Sequence, residues 1–528
     1  MRLEILDSTL RDGAQGEGIS FSAEDKLKIA ESLDSFGVSF IEAGNPFSNP
    51  KDIRFFEMAA KARFHSAKLV AFGSTARKDV SAEEDEGLKA LLSAGTKYVS
   101  VFGKAWDLHV DCILGTTLEG NLKMIYDTIF YLSSRGRRVI FDAEHFFDGY
   151  KANPDYAIEV LKTAEKAGAR TLCLCDTNGG AFPDEISKAV KAAAKATNTA
   201  IGIHCHNDNG CAVAGTIAAV KAGAKHIQGT FTGVGERCGN ANLSTVIPDL
   251  QLKLGYQAVN PENMDKLTKT ARYICEVANL RLTGTMPYVG TSAFAHKGGM
   301  HADGVAKNPK TFEHIAPELV GNKRNFLLSE VSGRSAILSK LHSFDETLNK
   351  NSSETLRITE KLKELECGGF QFEAAAASFE LLVLRELGRY VPHFEIDHYK
   401  IISSMDSFGG HTSYIGKANA IIKVRVGSRY EIMADEGDGP VNAIDRALRK
   451  ALEVFYPELK KMRLIDYKVR VISTGESTAS VTRVLIESTD GESTWTTVGA
   501  SKDIINASML ALTDSLEYML KNIPPISD

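Results

Sequence analysis

Two histidines lie two positions apart at residues 201–210, which read Ile-Gly-Ile-His-Cys-His-Asn-Asp-Asn-Gly. A short β-branched run leads directly into His204 and His206, so the pattern predicts that they end a strand. Residues two apart on a strand point to the same face, so both imidazoles face one point while Cys205 faces away. Such a pair is typical of a metal site, or of two hydrogen-bonded histidines beside a polar loop. Neighbouring elements must decide between the two.

The first half of the chain repeats one pattern, in which a short apolar strand and a polar turn precede an amphipathic helix. Helices are predicted over 23–36 and over 155–167, the second stopped by Gly168. This alternation predicts a closed parallel (β/α)8 barrel. A doubly wound open sheet is the alternative, but it needs a Gly-rich phosphate turn where residues 7–13 read Asp-Ser-Thr-Leu-Arg-Asp-Gly. The predicted strands cover 3–6, 38–41, 69–72, 98–102, 138–141, 171–175, 200–204 and 226–229.

A barrel of this kind places its chemistry at the carboxyl ends of the strands. Polar side chains gather there in this chain, although each one alone is also explained as a helix cap or a loop hydrogen bond. Together they predict a dense cluster of acids, histidines and arginines at one mouth. The residues are Asp7, Arg11, Asp12, Gln15, Glu42, Asp142, Glu144, Asp176, Thr177, Asn178, His204, His206, Asn207, Asp208, Glu236, Arg237 and Asn240.

Barrel closure sets the first strand beside the eighth, with the seventh next to it. A carboxylate from the first strand, the two histidines and the amide of Asn240 can therefore meet. One carboxylate, two imidazoles and one amide oxygen form a mixed site that suits Zn, Mn, Mg or Co and keeps room for water or substrate. Either Asp7 or Asp12 could supply the carboxylate.

Three segments carry a family resemblance: residues 7–15, 204–210 and 233–241. They resemble the signatures of the isopropylmalate, homocitrate and citramalate synthase family, whose members are metal-dependent Claisen condensation enzymes on a TIM barrel. The resemblance implies that Asp12 is the metal ligand, together with His204, His206 and Asn240. Asp7 then becomes a supporting residue.

The resemblance also implies roles in joining acetyl-CoA to a 2-oxo acid. Arg11 stabilises the growing alkoxide, and Gln15 and Thr177 bind substrate, although Thr177 could instead be a helix N-cap. Glu144 matches the family's active-site glutamate.

The base that takes a proton from acetyl-CoA has two possible sources. Glu236 is a candidate within the barrel. The Gly-rich segment 293–304 resembles the family segment in which a histidine and an aspartate enter a neighbouring subunit's site, matching His301 and Asp303. An ordinary surface loop is the simpler reading of this segment, and a mobile lid the functional one.

Substrate choice rests on weaker signals. Residues 141–150 look most like the long citramalate synthases, whose 2-oxo acid is pyruvate, with isopropylmalate synthase and 2-oxoisovalerate as the alternative. The side chains expected near the R group are Phe72, Phe102, Lys104 and Asp142, with no obvious extra arginine for a second carboxylate.

After the barrel the pattern changes twice. Between about 283 and 396 the rhythm lapses into a linker with helices predicted over 336–342 and 354–367. From 397 to 528 it becomes a twofold β-β-β-α repeat. Strands are predicted over 400–405, 418–426, 430–435, 466–473, 480–488 and 493–499, with helices over 440–455 and 502–520. Residues 498–508 resemble the family's regulatory and dimerisation domain, which implies a homodimer or larger homo-oligomer and isoleucine as feedback effector.

Composition limits the remaining possibilities. At 528 residues and 43% hydrophobic, the chain can bury several cores, which fits domains at 1–282, 283–396 and 397–528. A net charge of -5 gives no reason to expect nucleic acid or an anionic membrane as partner. No apolar run is long enough to span a bilayer, and the first strand leaves no room for a signal peptide. The eight cysteines form no Cys-x-x-Cys pair, and Cys173 and Cys175 look like core thiols, so we expect a cytoplasmic protein.

Two other function classes compete with condensation. A lyase or carboxyl-transfer enzyme would keep the barrel and the metal, but the duplicated C-terminal region and the lack of a Met-Lys-Met biotin segment disfavour carboxyl transfer. A non-catalytic amino-acid-binding protein with an inert barrel would not need its polar cluster intact. This chain retains Arg11, Asp12, Glu144, His204, His206, Asn240 and His301.

Overall fold

The computed structural model describes residues 1–296, 299–326, 341, 348–349, 352–405, 416–472 and 480–526, with backbone alone at 299, 302, 303, 306, 404, 405 and 416. The chain separates into two compact units. The first comprises Met1–Ala295 and Pro309–Asn325, and the second His296–Asn308 and Phe326–Asp528.

The first unit is built on a closed parallel barrel of eight strands in the order β1 to β8. Closure is seen where β1 pairs with β8, from Glu4 opposite His226 to Asp7 opposite Gly229. The predicted barrel is therefore confirmed. Its strands are β1 Glu4–Asp7, β2 Phe40–Gly44, β3 Lys68–Ser74, β4 Tyr98–Lys104, β5 Arg138–Glu144, β6 Thr171–Asp176, β7 Ala200–Cys205 and β8 His226–Gly229.

The helices of this unit start and stop where the sequence provides caps. Helix Ala23–Phe36, predicted with these bounds, begins with a reciprocal capping box between Ser22 and Asp25 and ends at Gly37, whose φ is 101°. Proline opens several others because its fixed φ suits the first helical turn. The remaining α-helices are Pro50–Ala59, Glu86–Ser93, Asp107–His109, Leu118–Ser134, Phe146–Ala152, Pro154–Lys166, Pro183–Ala196, Ala212–Ala222, Leu243–Pro248 and Leu267–Val277.

Two apolar layers hold the barrel together. The larger one fills the space between strands and helices, and includes Ile29, Leu33 and Val160. A smaller cluster combines alternate residues from several strands and contains Cys173 and Cys175, so both thiols are core residues, as predicted. The buried side chains of this second cluster are Leu6, Phe40, Val70, Tyr98, Ile140, Cys173 and Cys175.

The second unit contains two three-stranded antiparallel sheets, each followed by one long helix. In Thr482–Thr489 alternate residues are buried, as expected for a sheet with one face on a helix. The predicted β-β-β-α repeat is confirmed. The elements are strands Glu395–Met405, Gly416–Val426 and Arg429–Gly437 with helix Pro440–Leu452, then strands Arg463–Val471, Thr482–Thr489 and Thr494–Ser501 with helix Ile504–Leu520.

Shorter elements complete the chain. Helices Gly299–Lys307, Ser353–Cys367 and Ala376–Glu386 lie in the second unit, and two-residue strands occur at Ala295–His296 and Asn325–Phe326. The predicted helix over 336–342 lies outside the described residues, except for Leu341. Within the described ranges, no helix has the length and apolar character needed to cross a bilayer.

Candidate active site and metal centre

His204 in β7 and His206, which directly follows that strand, converge on one aspartate. Their Nε2 atoms are 3.3 Å apart, and Asp12 Oδ2 lies 3.5 Å from Nε2 of His204 and 3.9 Å from Nε2 of His206. All three side chains are buried. Asp12 follows β1, which is hydrogen-bonded to β8, which in turn pairs with β7, so the closed sheet brings them together. Each of the three offers one ligand atom to a common point.

Asn240 joins this cluster from the loop after β8. Its backbone pairs with that of His206, and its Nδ2 donates to Asp12 Oδ1 at 3.1 Å. The loop folds this way because Gly239 adopts a φ of 84°, where a Cβ would lie 2.0 Å from the carbonyl oxygen of Gly233. The Oδ1 atom of Asn240 is buried and has no hydrogen-bond partner in the part of the chain that the structure describes.

Arg11 links this cluster to β2. Its Nε donates to Glu42 Oε2 at 2.6 Å and its Nη1 to Asp12 Oδ2 at 3.0 Å, while the guanidinium lies 3.9 Å from the ring centre of Phe72. Burial opposes ionisation of Asp12, but the positive charge of Arg11, together with smaller contributions from the two imidazoles and the hydrogen bond from Asn240, outweighs it and holds the pKa of Asp12 below its usual range. Asp12 is therefore an anionic ligand beside a fixed cation.

Asp7 lies apart from the histidines, although the residue types alone allowed it as the ligand. Its carboxylate accepts hydrogen bonds from the N–H and the hydroxyl of Thr9, at 2.9 and 3.1 Å. Burial raises its pKa to about 7. The Thr9 hydroxyl also accepts the N–H of Phe231, so Asp7 ties the ends of β1 and β8 together.

Both histidines favour the neutral form that binds metals. Burial, and then the neighbouring His204, lower the pKa of His206 to about 4. Burial also lowers the pKa of His204, against the opposing pull of Asp12. Neutral imidazoles each keep one nitrogen lone pair for coordination.

The donor geometry fits a divalent ion. Two nitrogens at about 2.0–2.1 Å from one tetrahedral ion are separated by about 3.3 Å, which matches the two Nε2 atoms. A carboxylate oxygen completes the set on one side. Two buried polar atoms at the site, Nδ1 of His206 and Oδ1 of Asn240, have no partner among the described residues.

Glu144 and Thr177 lie at the carboxyl ends of β5 and β6. Glu144 ends β5 and forms an ion pair with Lys104 at the end of β4. The Thr177 hydroxyl accepts the backbone N–H of His145 at 2.8 Å. Thr177 is not a helix N-cap, because the helix that follows it starts at Pro183 and is capped at Phe182.

Other predicted residues lie at the rim or beyond the barrel. Gln15 is exposed, and the Glu236 side chain is 57% exposed and lies 3.5 Å from Arg237. His301 is an exposed residue of helix Gly299–Lys307 in the second unit. The side chain of Asp303 lies outside the described residues.

The sequence also matches known families. Residues 2–274 match the HMGL-like family, residues 288–367 the homocitrate synthase post-HMGL domain-like family, and residues 373–520 the LeuA allosteric (dimerisation) domain. An (R)-citramalate synthase of Aquifex aeolicus is 51% identical over 98% of both chains. One from Geobacter sulfurreducens is 48% identical over 98% of this chain and 97% of its own. The chain belongs to the (R)-citramalate synthase family.

2-Isopropylmalate synthases have lower sequence identity to this chain. A probable 2-isopropylmalate synthase of Methanopyrus kandleri is 31% identical over 98% of this chain and 99% of its own. The alternative from the sequence is thus less similar to this chain than these two (R)-citramalate synthases.

Three side chains support the site in this member of the (R)-citramalate synthase family through contacts that its motifs do not indicate. Glu42 anchors Arg11, Lys104 pairs with Glu144, and Gln228 accepts a hydrogen bond from His204 at 3.1 Å. Gln228 was detectable as a polar residue two positions after His226, on the same face of the predicted strand. Its partner could not be read from the sequence, because it comes from β7.

Proposed function

We propose that the protein is an (R)-citramalate synthase. It joins the methyl carbon of acetyl-CoA to the keto carbon of pyruvate and then hydrolyses the thioester, releasing CoA and citramalate. The observation that carries the proposal is the Asp12–His204–His206 cluster beside Arg11, in a chain of which five (R)-citramalate synthases are 44–51% identical over 98% of its length. Citramalate leads towards isoleucine.

Asp12, His204, His206 and Asn240 would hold a divalent metal. When bound, the ion polarises the keto group of the 2-oxo acid and neutralises its carboxylate. The mixed nitrogen and oxygen donors suit Zn, Mn, Mg or Co. The orphaned Asn240 Oδ1 supports the fourth position.

Arg11 is the residue that meets the developing alkoxide. Of the five N–H donors of its guanidinium, one contacts Glu42 and one Asp12, so others can donate to a substrate oxygen. The contact with Phe72 and the two carboxylates fix the guanidinium plane before substrate arrives. A fixed donor of this kind stabilises a transition-state anion without reorganising.

Thr177 donates to the substrate carboxylate. Its oxygen already accepts the N–H of His145, so the hydroxyl hydrogen is directed to another acceptor. Gln15, at the rim, is the second polar group that we assign to substrate binding.

Glu144 faces the reacting methyl groups and shares the proton transfers with Glu236 and His301. Lys104 holds the Glu144 carboxylate in place through their ion pair. Asp303 and His301 would come from the linker segment of a neighbouring subunit, and Asp303 would contact substrate.

Pyruvate is the preferred 2-oxo acid. Phe72 and Phe102 stack at 5.4 Å between ring centres and give the mouth an apolar wall that suits a methyl group. A second carboxylate, as in 2-oxoglutarate, would face these rings unpaired.

The second half of the chain senses the end product. The match to an allosteric dimerisation domain over 373–520 supports a homodimer or larger homo-oligomer with isoleucine as inhibitor. Each repeat ends in a helix, starting at Pro440 or Ile504, whose N-terminal N–H groups attract a carboxylate. We place domain boundaries at 282/283 and 396/397, and the enzyme in the cytoplasm, where its eight free cysteines stay reduced.

Release of CoA tests the proposal directly. Acetyl-CoA would be supplied with pyruvate, 2-oxoisovalerate or 2-oxoglutarate, each with and without a chelator. Of the three 2-oxo acids, we expect only pyruvate to give rapid CoA release. Chelator should abolish this release, and added Mn²⁺ should restore it. A preference for 2-oxoisovalerate would overturn the substrate assignment, and no release with any of the three would overturn the condensation activity.

A further inference from the structure

A chain of hydrogen bonds lies behind His204 in the barrel interior. Nδ1 of His204 is 3.1 Å from Oε1 of Gln228, and Nε2 of Gln228 is 2.8 Å from Oδ1 of Asp142. Gln228 also places Nε2 3.5 Å from Nε2 of His226. All four side chains are buried. The chain therefore connects β5, β8 and β7 away from solvent.

The structure orients the Gln228 amide with its nitrogen towards Asp142 and its oxygen towards His204. An amide nitrogen can only donate, and it lies 2.8 Å from Oδ1 of Asp142, so this oxygen is the acceptor. The amide oxygen can only accept, and it faces His204. Nδ1 of His204 must therefore carry the hydrogen, which leaves the Nε2 lone pair facing Asp12 and His206.

We propose that Gln228, oriented by Asp142, is a positioning residue that fixes the tautomer and ring plane of His204 and thereby sets the affinity of the metal site. The proposal rests on the proposed function only in requiring a divalent ion at Asp12, His204 and His206. Outer-sphere acceptors of this kind typically change metal affinity by about 10–100-fold.

His206 provides the internal contrast. Its Nδ1 has no hydrogen-bond partner among the described residues, whereas Nδ1 of His204 has Gln228. The His204 ring is thus oriented by a side-chain hydrogen bond, whereas His206 is positioned by the pairing of its backbone with that of Asn240. We infer that His204 is the ligand whose geometry exists before the ion arrives.

Metal titration of purified full-length variants tests this. Mn²⁺ binding to the chelator-treated protein would be followed by calorimetry, in wild type, Gln228→Met and the exchange variant Gln228→Glu with Asp142→Asn. In the exchange variant a carboxylate oxygen at position 228 still accepts from Nδ1 of His204. In the hydrogen bond between positions 228 and 142, the new amide at position 142 becomes the donor and the carboxylate at position 228 the acceptor. Gln251→Met is the matched control. The side-chain oxygen of Gln251 also accepts two hydrogen bonds, from the backbone N–H groups of Ala258 and Val259, but it lies outside the metal site.

We expect the Mn²⁺ dissociation constant to rise about 10–100-fold in Gln228→Met. The Mn²⁺ dissociation constant should stay within about threefold of the wild-type value in the exchange variant and in Gln251→Met. This is well below the change expected for Gln228→Met. A Gln228→Met protein that binds Mn²⁺ like wild type, or an exchange variant no better than Gln228→Met, would overturn the positioning role. Failure of the wild-type protein to bind Mn²⁺ would instead overturn the metal site itself.

A second measurement observes the tautomer of His204 directly in the wild-type protein. In metal-free wild-type protein labelled with ¹⁵N-histidine, the His204 ring should give the Nδ1–H tautomer, assigned by its absence in His204→Ala. The Nε2–H tautomer at this ring would contradict the proposal whatever the variants do.

Discussion

Two buried histidine clusters, one in each unit, show how the same side chain is prepared for opposite charge states. His206 at the barrel mouth has its pKa lowered to about 4, first by burial and then by His204. His393 in the second unit has its pKa raised, although burial opposes this, because Glu517 and the carbonyl of Ile523 accept its ring hydrogens. Burial alone would have kept both rings neutral.

The difference lies in the number and direction of acceptors. His393 has an acceptor at each ring nitrogen, 2.7 Å from Nδ1 and 2.8 Å from Nε2, so the imidazolium is fully satisfied. At the barrel mouth one aspartate faces two rings and is already paired with Arg11. A histidine cluster with too few hydrogen-bond acceptors for protonated rings keeps its rings neutral and suits metal binding. A histidine with an acceptor at each ring nitrogen can be charged and suits a structural role.

The largest expected effect comes from removing a ring at the mouth. His204→Ala should lower metal-dependent CoA release by at least about 10³-fold. The ion loses a ligand, and without a bound ion the charge that develops on the substrate oxygen is no longer stabilised. Circular dichroism should show an unchanged fold. His393→Gln is the matched loss of a buried histidine and should leave Mn²⁺ affinity unaltered. Equal Mn²⁺ affinity in His204→Ala and wild type would refute the assigned ligands.

The next largest effect is expected from replacing Arg11, the cation fixed between Glu42 and Asp12. Arg11→Lys keeps the charge but loses the planar fork that contacts Glu42 and Asp12 together. We expect kcat to fall by about 10²–10³-fold, with a smaller change in Mn²⁺ affinity, because the lost donor acts on the transition state. Steady-state kinetics with pyruvate measures this. A variant in which only KM rises would instead point to a role in ground-state binding.

Breaking the pair in the second unit should affect stability. In Glu517→Gln the carboxylate that accepts from the His393 ring and backbone N–H is neutralised. We expect a loss of about 2 kcal/mol in the free energy of unfolding at pH 6, the scale of hydrogen bonds to charged groups. Urea denaturation followed by fluorescence measures it. The barrel should keep its Mn²⁺ affinity, and a parallel loss there would contradict the separation of the two roles.

The smallest effect is the pH dependence of that loss. Because the pKa of folded His393 is raised, its pairing is fully present below the unfolded value of about 6.5 and is lost as pH rises through the folded value. The stability difference between wild type and His393→Gln should therefore be larger at pH 6 than at pH 9. Urea titrations at the two pH values would show it, and a gap that widens with pH would exclude a charged His393.

The sequence by itself determined the barrel, the repeat and most of the cluster at the mouth. Alternating strand and helix patterns are local, so the strand over 226–229 and the helix over 23–36 were predicted with the bounds that the structure shows. The ends of the strands were extended by one to three residues in several cases, because pairing with neighbours such as β4 and β5 continues past the apolar run. His204 and His206 followed from strand periodicity alone.

Residue types and spacing left Asp7 and Asp12 as alternatives, the family resemblance favoured Asp12, and only the tertiary structure shows the contacts that separate them. Asp7 bonds to Thr9, while Asp12 turns towards the histidines. Tertiary structure also supplied Glu42 behind Arg11, and Gln228 and Asp142 behind His204. These partners are 24–86 residues apart in the chain, and no local pattern encodes which strands closure will place side by side.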